Sequence, residues 1–201
     1  MKLVSKIFAA ALFATPVLAA DKADKGMEKT PDHAAAMNGE KKPMMTDARL
    51  AAKLHAINKD EMDDGDAAMK HGNSSAVKEY GRMLKDDHQK ADDELKAAAD
   101  KAGWKLDDKA VLAAEDKAEM DTAHMKMDQV KKLKGAEFDR AFGKQLADDH
   151  QMVIDMLNGC KAGVQSMELK MFVEKTIPAL EKHRDAAKDI ASGKTTASMH
   201  H

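Results

Sequence analysis

Leu84-Lys85-Asp86-Asp87-His88-Gln89 and Leu146-Ala147-Asp148-Asp149-His150-Gln151 follow one pattern, and Asp93 and Leu95 match Asp155 and Leu157 at the same offsets. In each copy a leucine and a histidine stand four residues apart, so they share one helix face. The repeat supports a fold of two helical hairpins. Two helices solving the same packing problem would give the same letters, so duplication is one reading of it and convergence the other.

Working outward, the apolar period is helical over most of the chain. Thr46 suits the N-cap of a first helix ending near His71-Gly72, with a stripe of Leu50, Leu54, Ile57 and Ala68. Asn73, Ser74 and Ser75 offer caps for a second helix, which Gly103 stops after Ala102. Asp107 or Asp108 is expected to cap a third segment running to about Leu133, with a weaker stripe through Met120 and Met127. A fourth runs from about Ala136 to Lys161 along Phe138, Phe142, Leu146, Val153 and Leu157. The last spans roughly 167–191, with Pro178 removing one backbone donor inside it. Helices of about 25 residues are ~38 Å long, and short connections pack them antiparallel. The third segment is long enough to return the chain from one end to the other. The expected fold is therefore all-α: a ferritin-like antiparallel four-helix bundle with an additional crossover helix.

Composition narrows the function. Seven aromatics in 201 residues argue against a β-sandwich or barrel. With 33 basic and 35 acidic side chains there is no basic excess to attract nucleic acid. A single cysteine, Cys160, excludes an internal disulfide and a cysteine-based zinc cluster. No phosphate-cradling glycine loop or nucleophile motif is visible, so no catalytic residue is assigned. Trp104 is expected to pack against one end of the bundle.

Residues 1–19 read as a signal peptide. Lys2 and Lys6 precede the apolar run Ile7–Leu18, and Val17-Leu18-Ala19 supplies small residues for cleavage after Ala19, with Ala20 as the alternative. Residues 20–45 read as a flexible polar leader, 46–192 as the helical domain and 193–201 as a polar tail. The mature chain is expected to be periplasmic or secreted, with no integral membrane segment.

Polar residues interrupt the stripes. Leu50, Leu54 and Ile57 lead to Glu61; Gly81 and Leu84 to His88; Phe142 and Leu146 to His150; Ile177 and Leu180 to His183. Each step is three or four residues, so each polar group faces inward. Counted at 1.5 Å per residue, the four heights agree within roughly 10 Å. Imidazole and carboxylate suit iron, zinc, manganese or copper. Asp87, Asp92 and Asp149 stand beside the histidines as further ligands or ring-orienting acceptors. The alternative is a set of structural core histidines in a non-catalytic envelope-stress or interaction protein. A third reading uses the 16 methionines. Met27, Met37, Met44 and Met45 with His33, His124-Met125-Lys126-Met127, and Met199-His200-His201 would suit Cu(I).

Residues 46–191 resemble the exported bacterial ferritin-like family catalogued as domain of unknown function 4142. The resemblance rests on Glu61-Met62-Asp63-Asp64-Gly65, residues 77–88 ending in Asp87-His88, Gly135-Ala136-Glu137-Phe138-Asp139-Arg140, Asp149-His150 and Thr176-Ile177-Pro178 through His183. It implies a helical bundle, export and metal binding at Glu61, His88, His150 and His183. A ferritin-type di-iron site needs paired Glu-x-x-His motifs, but Lys85 and Ala147 stand three before His88 and His150. A single-ion site fits better.

Expression with export in a Gram-negative host should give a mature chain beginning at Ala20 or Asp21. Intact mass and N-terminal sequencing check this; a retained Met1 would refute the signal-peptide assignment.

Overall fold

The computed structural model describes residues 45–107 and 111–194. The signal peptide, the leader up to Met44, including Met27, His33 and Met37, the capping candidate Asp108, and Met199-His200-His201 lie outside the described residues. Five α-helices are present among those described: α1 (Asp47–His71), α2 (Ser75–Ala102), α3 (Ala114–Val130), α4 (Gly135–Cys160) and α5 (Met167–Ala191). A single 3-10 turn, Lys161–Gly163, follows α4.

Local chemistry fixes the ends. Thr46, Ser74 and Ser166 each accept the backbone N–H three residues on, at 3.2, 3.3 and 3.3 Å. Gly103 closes α2 at φ +70°, a left-handed conformation that costs other residues about 1 kcal/mol or more. α5 continues through Pro178.

The third segment is shorter than expected. α3 has 17 residues and begins at Ala114, not at Asp107. The Asp107 carboxylate instead meets His55 Nε2 at 3.2 Å, so it is drawn to α1 and caps nothing. Asp116 makes the first-turn contact, accepting Ala113 N–H at 3.1 Å.

α1 with α2, and α4 with α5, form two hairpins, and α2 lies against α5. Each hairpin's turn is held by a carboxylate from the other. Asp139 on α4 accepts the N–H groups of Asn73 and Ser74, at 2.8 and 2.9 Å, in the α1–α2 turn. Asp47 at the start of α1 accepts those of Gln165 and Ser166, at 3.1 and 2.6 Å, in the α4–α5 turn. The two turns thus lie at opposite ends, and the 103–134 connection containing α3 runs from one end to the other. The repeat falls on α2 and α4, the second helix of one hairpin and the first of the other. A duplicated hairpin would pair α2 with α5, so common packing explains the repeated letters.

Two apolar clusters fill the interior. One gathers Val77, Tyr80, Leu84, Phe138, Phe142, Leu146 and Ile190. The other gathers Leu50, Leu54, Leu95, Leu157, Leu169, Val173 and Leu180, with Met45, Trp104 and Cys160 packed against it. On each hairpin helix a polar residue falls between the two: Glu61, His88, His150 and His183, all buried. α3 is tied down at its N-terminal end by Asp116, which accepts from Arg49 Nε at 2.6 Å and Lys53 Nζ at 3.0 Å. Its other end buries Met127 and Val130, while Met125 faces solvent.

The backbones of α1 and α2 touch where both lack a side chain. A Cβ on Gly81 would sit 2.7 Å from the Gly65 carbonyl oxygen and 2.7 Å from Ala68 Cβ. Gly81→Ala should therefore cost about 1–3 kcal/mol through overpacking. Gly159→Ala, with nothing within 4 Å, should be neutral or stabilise by up to about 1 kcal/mol through helix propensity. Urea denaturation of both variants checks the contrast.

Candidate metal centre

His88 (α2), His150 (α4) and His183 (α5) each present one ring nitrogen within 4.8 Å of the other two. They are 4, 1 and 4% exposed. Each ring is oriented through its other nitrogen. His88 Nδ1 donates to Asn58 Oδ1 at 2.9 Å, His150 Nδ1 to the Leu146 carbonyl at 2.8 Å, and His183 Nε2 to Asp87 Oδ2 at 3.2 Å. All three partners are acceptors, so the protons sit on those nitrogens. His88 Nε2, His150 Nε2 and His183 Nδ1 are buried and without a hydrogen-bond partner among the described residues. A buried acceptor with no donor costs about 1–3 kcal/mol, and here three lie together.

The spacing suits a shared ion. Three imidazoles on one metal, with bonds of about 2.0–2.1 Å and angles between tetrahedral and trigonal, hold their ring centres about 5.2–5.5 Å apart. The observed separations are 5.9 Å for His88–His150 and 5.4 Å for each of the other two pairs. Burial, reinforced by the neighbouring imidazoles, pushes His88 well below the ordinary histidine range and His150 down to about 3. These two rings are therefore neutral at physiological pH, the form that binds metal. The hydrogen bond from His183 holds the Asp87 carboxyl below its usual range.

Glu61 stands on the far side of His150. Its Oε1 is 3.9 Å from His150 Nδ1, the atom already bonded to Leu146, and its Oε2 has no partner among the described residues. Burial, then repulsion from Asp64, Asp149 and Asp60, raises its pKa well above the carboxylate range. The structure thus brings the three histidines together and places Glu61 beside them, outside the cluster of nitrogens. Of the neighbouring acids, Asp87 orients His183. Asp92 does not serve the cluster: it is fully buried and bonds His55 Nδ1 at 2.6 Å and Lys96 at 2.7 Å. Asp149 accepts from the Gln145 amide at 2.8 Å.

Asn58 and His55 are absent from the apolar stripe of α1. They belong to a second inward row, Ala51-His55-Asn58, at the same four- and three-residue steps. A cleft of about 230 Å³ between α2 and α5 reaches His88 and His183 from outside, past Asp87, Lys90 and Lys175.

The lowered pKa values set the sign of a pH effect. Between the unfolded value of 6.5 and the folded value of about 3 at His150, the unfolded chain binds more protons than the native one. The His150 contribution to native stability is full above pH 6.5 and is lost as the pH falls toward 3. Asp64 works in the opposite sense: burial raises it to about 6, so its contribution is lost as the pH rises through that value. Metal-free protein should lose urea resistance more steeply between pH 6.5 and 4 than His150→Gln does. Parallel slopes would refute an uncharged His150.

No curated protein and no solved structure matches the chain. A family model does match, over residues 31–190, and its description is "Domain of unknown function (DUF4142)". The chain is a member of the DUF4142 family.

Proposed function

We propose that this chain is an exported ferritin-like bundle protein that holds one divalent transition-metal ion at His88 Nε2, His150 Nε2 and His183 Nδ1. Its role is storage, buffering or stress protection, a binding role with no substrate turned over. The observation that carries the reading is the convergence of three buried, unpartnered nitrogens whose rings are each fixed from behind. Three neutral imidazoles bring no charge to a dication. Glu61 beside His150 and Asp87 behind His183 supply it, so the unpartnered Glu61 carboxyl finds its counter-charge when an ion is bound. An all-nitrogen, sulfur-free donor set favours zinc, copper or iron over manganese, which prefers oxygen. The cleft beside His88 and His183 gives an ion a way in and leaves room for a fourth, exchangeable ligand.

The ferritin-like assignment is supported by two hairpins with turns at opposite ends and a connection running the length between them. Export is supported by the sequence of residues 1–19, and the divisions at 20–45, 46–192 and 193–201 go with it.

Untagged protein loaded with Zn, Fe, Mn or Cu and dialysed should retain one equivalent by elemental analysis. Stability should rise by about 2.7 kcal/mol when free metal is 100 times Kd. His150→Ala should abolish binding, and Asn58→Ala should weaken it about 10–100-fold by releasing the His88 ring. Trimming residues 20–45 and 194–201 should leave the equivalent in place. Loss on trimming would move the metal to the methionines and histidines of the tails. No retained ion and no thermal shift with any of the four metals would leave the histidines a structural role.

A further inference from the structure

A second cavity lies between α1, α3 and α4, on the other side of Glu61 from the histidine cluster. It holds about 320 Å³, within the range of small-molecule sites. It exists because α3 is pinned by ion pairs at its first turn and by Met127 and Val130 at its last, and stands off in between.

Its walls and its charges point to one kind of ligand. Five methionines line it: Met45, Met120, Met127, Met152 and Met156. Their unbranched side chains adapt to apolar groups of varied shape. Seven carboxylates line it, with Arg49, Lys53 and His124, the last meeting Asp60 at 2.8 Å. Both cations, Arg49 and Lys53, bond the α3 acids Glu115, Asp116 and Glu119 at one end. At the other end are Glu61, Asp64 and Asp149. Asp64 has Lys131 at 3.3 Å, and Asp149 has the neutral Gln145 amide. Glu61 is 7% exposed and its Oε2 is unpartnered. A hard, oxygen-seeking metal ion would leave the methionine walls unused, and a neutral apolar molecule would bury those carboxylates further without a counter-charge. The His124 ring on its wall is itself engaged by Asp60 at 2.8 Å, and carboxylates accept N–H donors.

We propose that this cleft binds a small amphipathic amine, its ammonium group donating to Glu61, Asp64 and Asp149 and its apolar arm lying along the methionines of α3 and α4. The site shares Glu61 with the metal reading, so its test is run in EDTA, where no ion competes for that carboxyl.

Hexylammonium, methylammonium and hexyl sulfate are titrated into the full mature chain by calorimetry, with methionine methyl groups followed by NMR. Hexylammonium should bind at least tenfold more tightly than either control and shift the Met120, Met127 and Met156 methyl signals. Glu61→Gln should weaken it at least fivefold. If that variant does not fold by circular dichroism, Asp149→Asn, whose carboxylate bonds only a neutral amide on its own helix, replaces it. Methylammonium binding as tightly would show that charge alone acts, and hexyl sulfate binding as tightly would show that apolar contact alone acts. Either result, or hexylammonium shifting none of the three methyl groups, overturns the proposal.

Discussion

A polar layer through the middle of an apolar bundle is the constraint around which this molecule is organised. Helix–helix packing favours apolar side chains at inward positions, and two apolar clusters of α1, α2, α4 and α5 lie on either side of one level. At that level they carry Glu61, His88, His150 and His183 instead. Apolar residues of similar volume at these positions would cost nothing in desolvation. Asn58, which orients the His88 ring, adds a further buried polar side chain to the interior. Such an investment is hard to account for as packing and straightforward to account for as binding.

The layer also divides charge unequally across His150. On one side three ring nitrogens have no hydrogen-bond partner among the described residues; on the other, burial and mutual repulsion raise the pKa of Glu61, Asp64 and Asp149. Glu61 touches both sides, which explains a carboxyl that is inward-facing yet outside the nitrogen cluster.

The limits of α1 and α2 were legible in the sequence because Thr46, Ser74 and Gly103 are strong local signals that tertiary contacts did not override. The three histidines were legible because each lies on a clean apolar row, and height counting along rigid helices is accurate to a turn. α3 was not. Its amphipathicity is weak, and its position is set by Asp107 turning to His55 and by Asp116 bonding Arg49 and Lys53, contacts more than 50 residues apart in the chain. Asn58 and the His55–Asp92 pair were hidden for a related reason. Polar residues on a helix read as solvent-facing unless a buried partner is known. Glu61 was placed at the right depth, but a helical wheel does not say on which side of a neighbouring ring a carboxyl lies.

The exchange of carboxylates between turns bears on how the chain assembles. Asp139 accepts from the first hairpin's loop amides and Asp47 from the second's, so each half supplies acceptors to the turn of the other. A severed half would lack those acceptors, so each turn owes part of its fixation to the other hairpin.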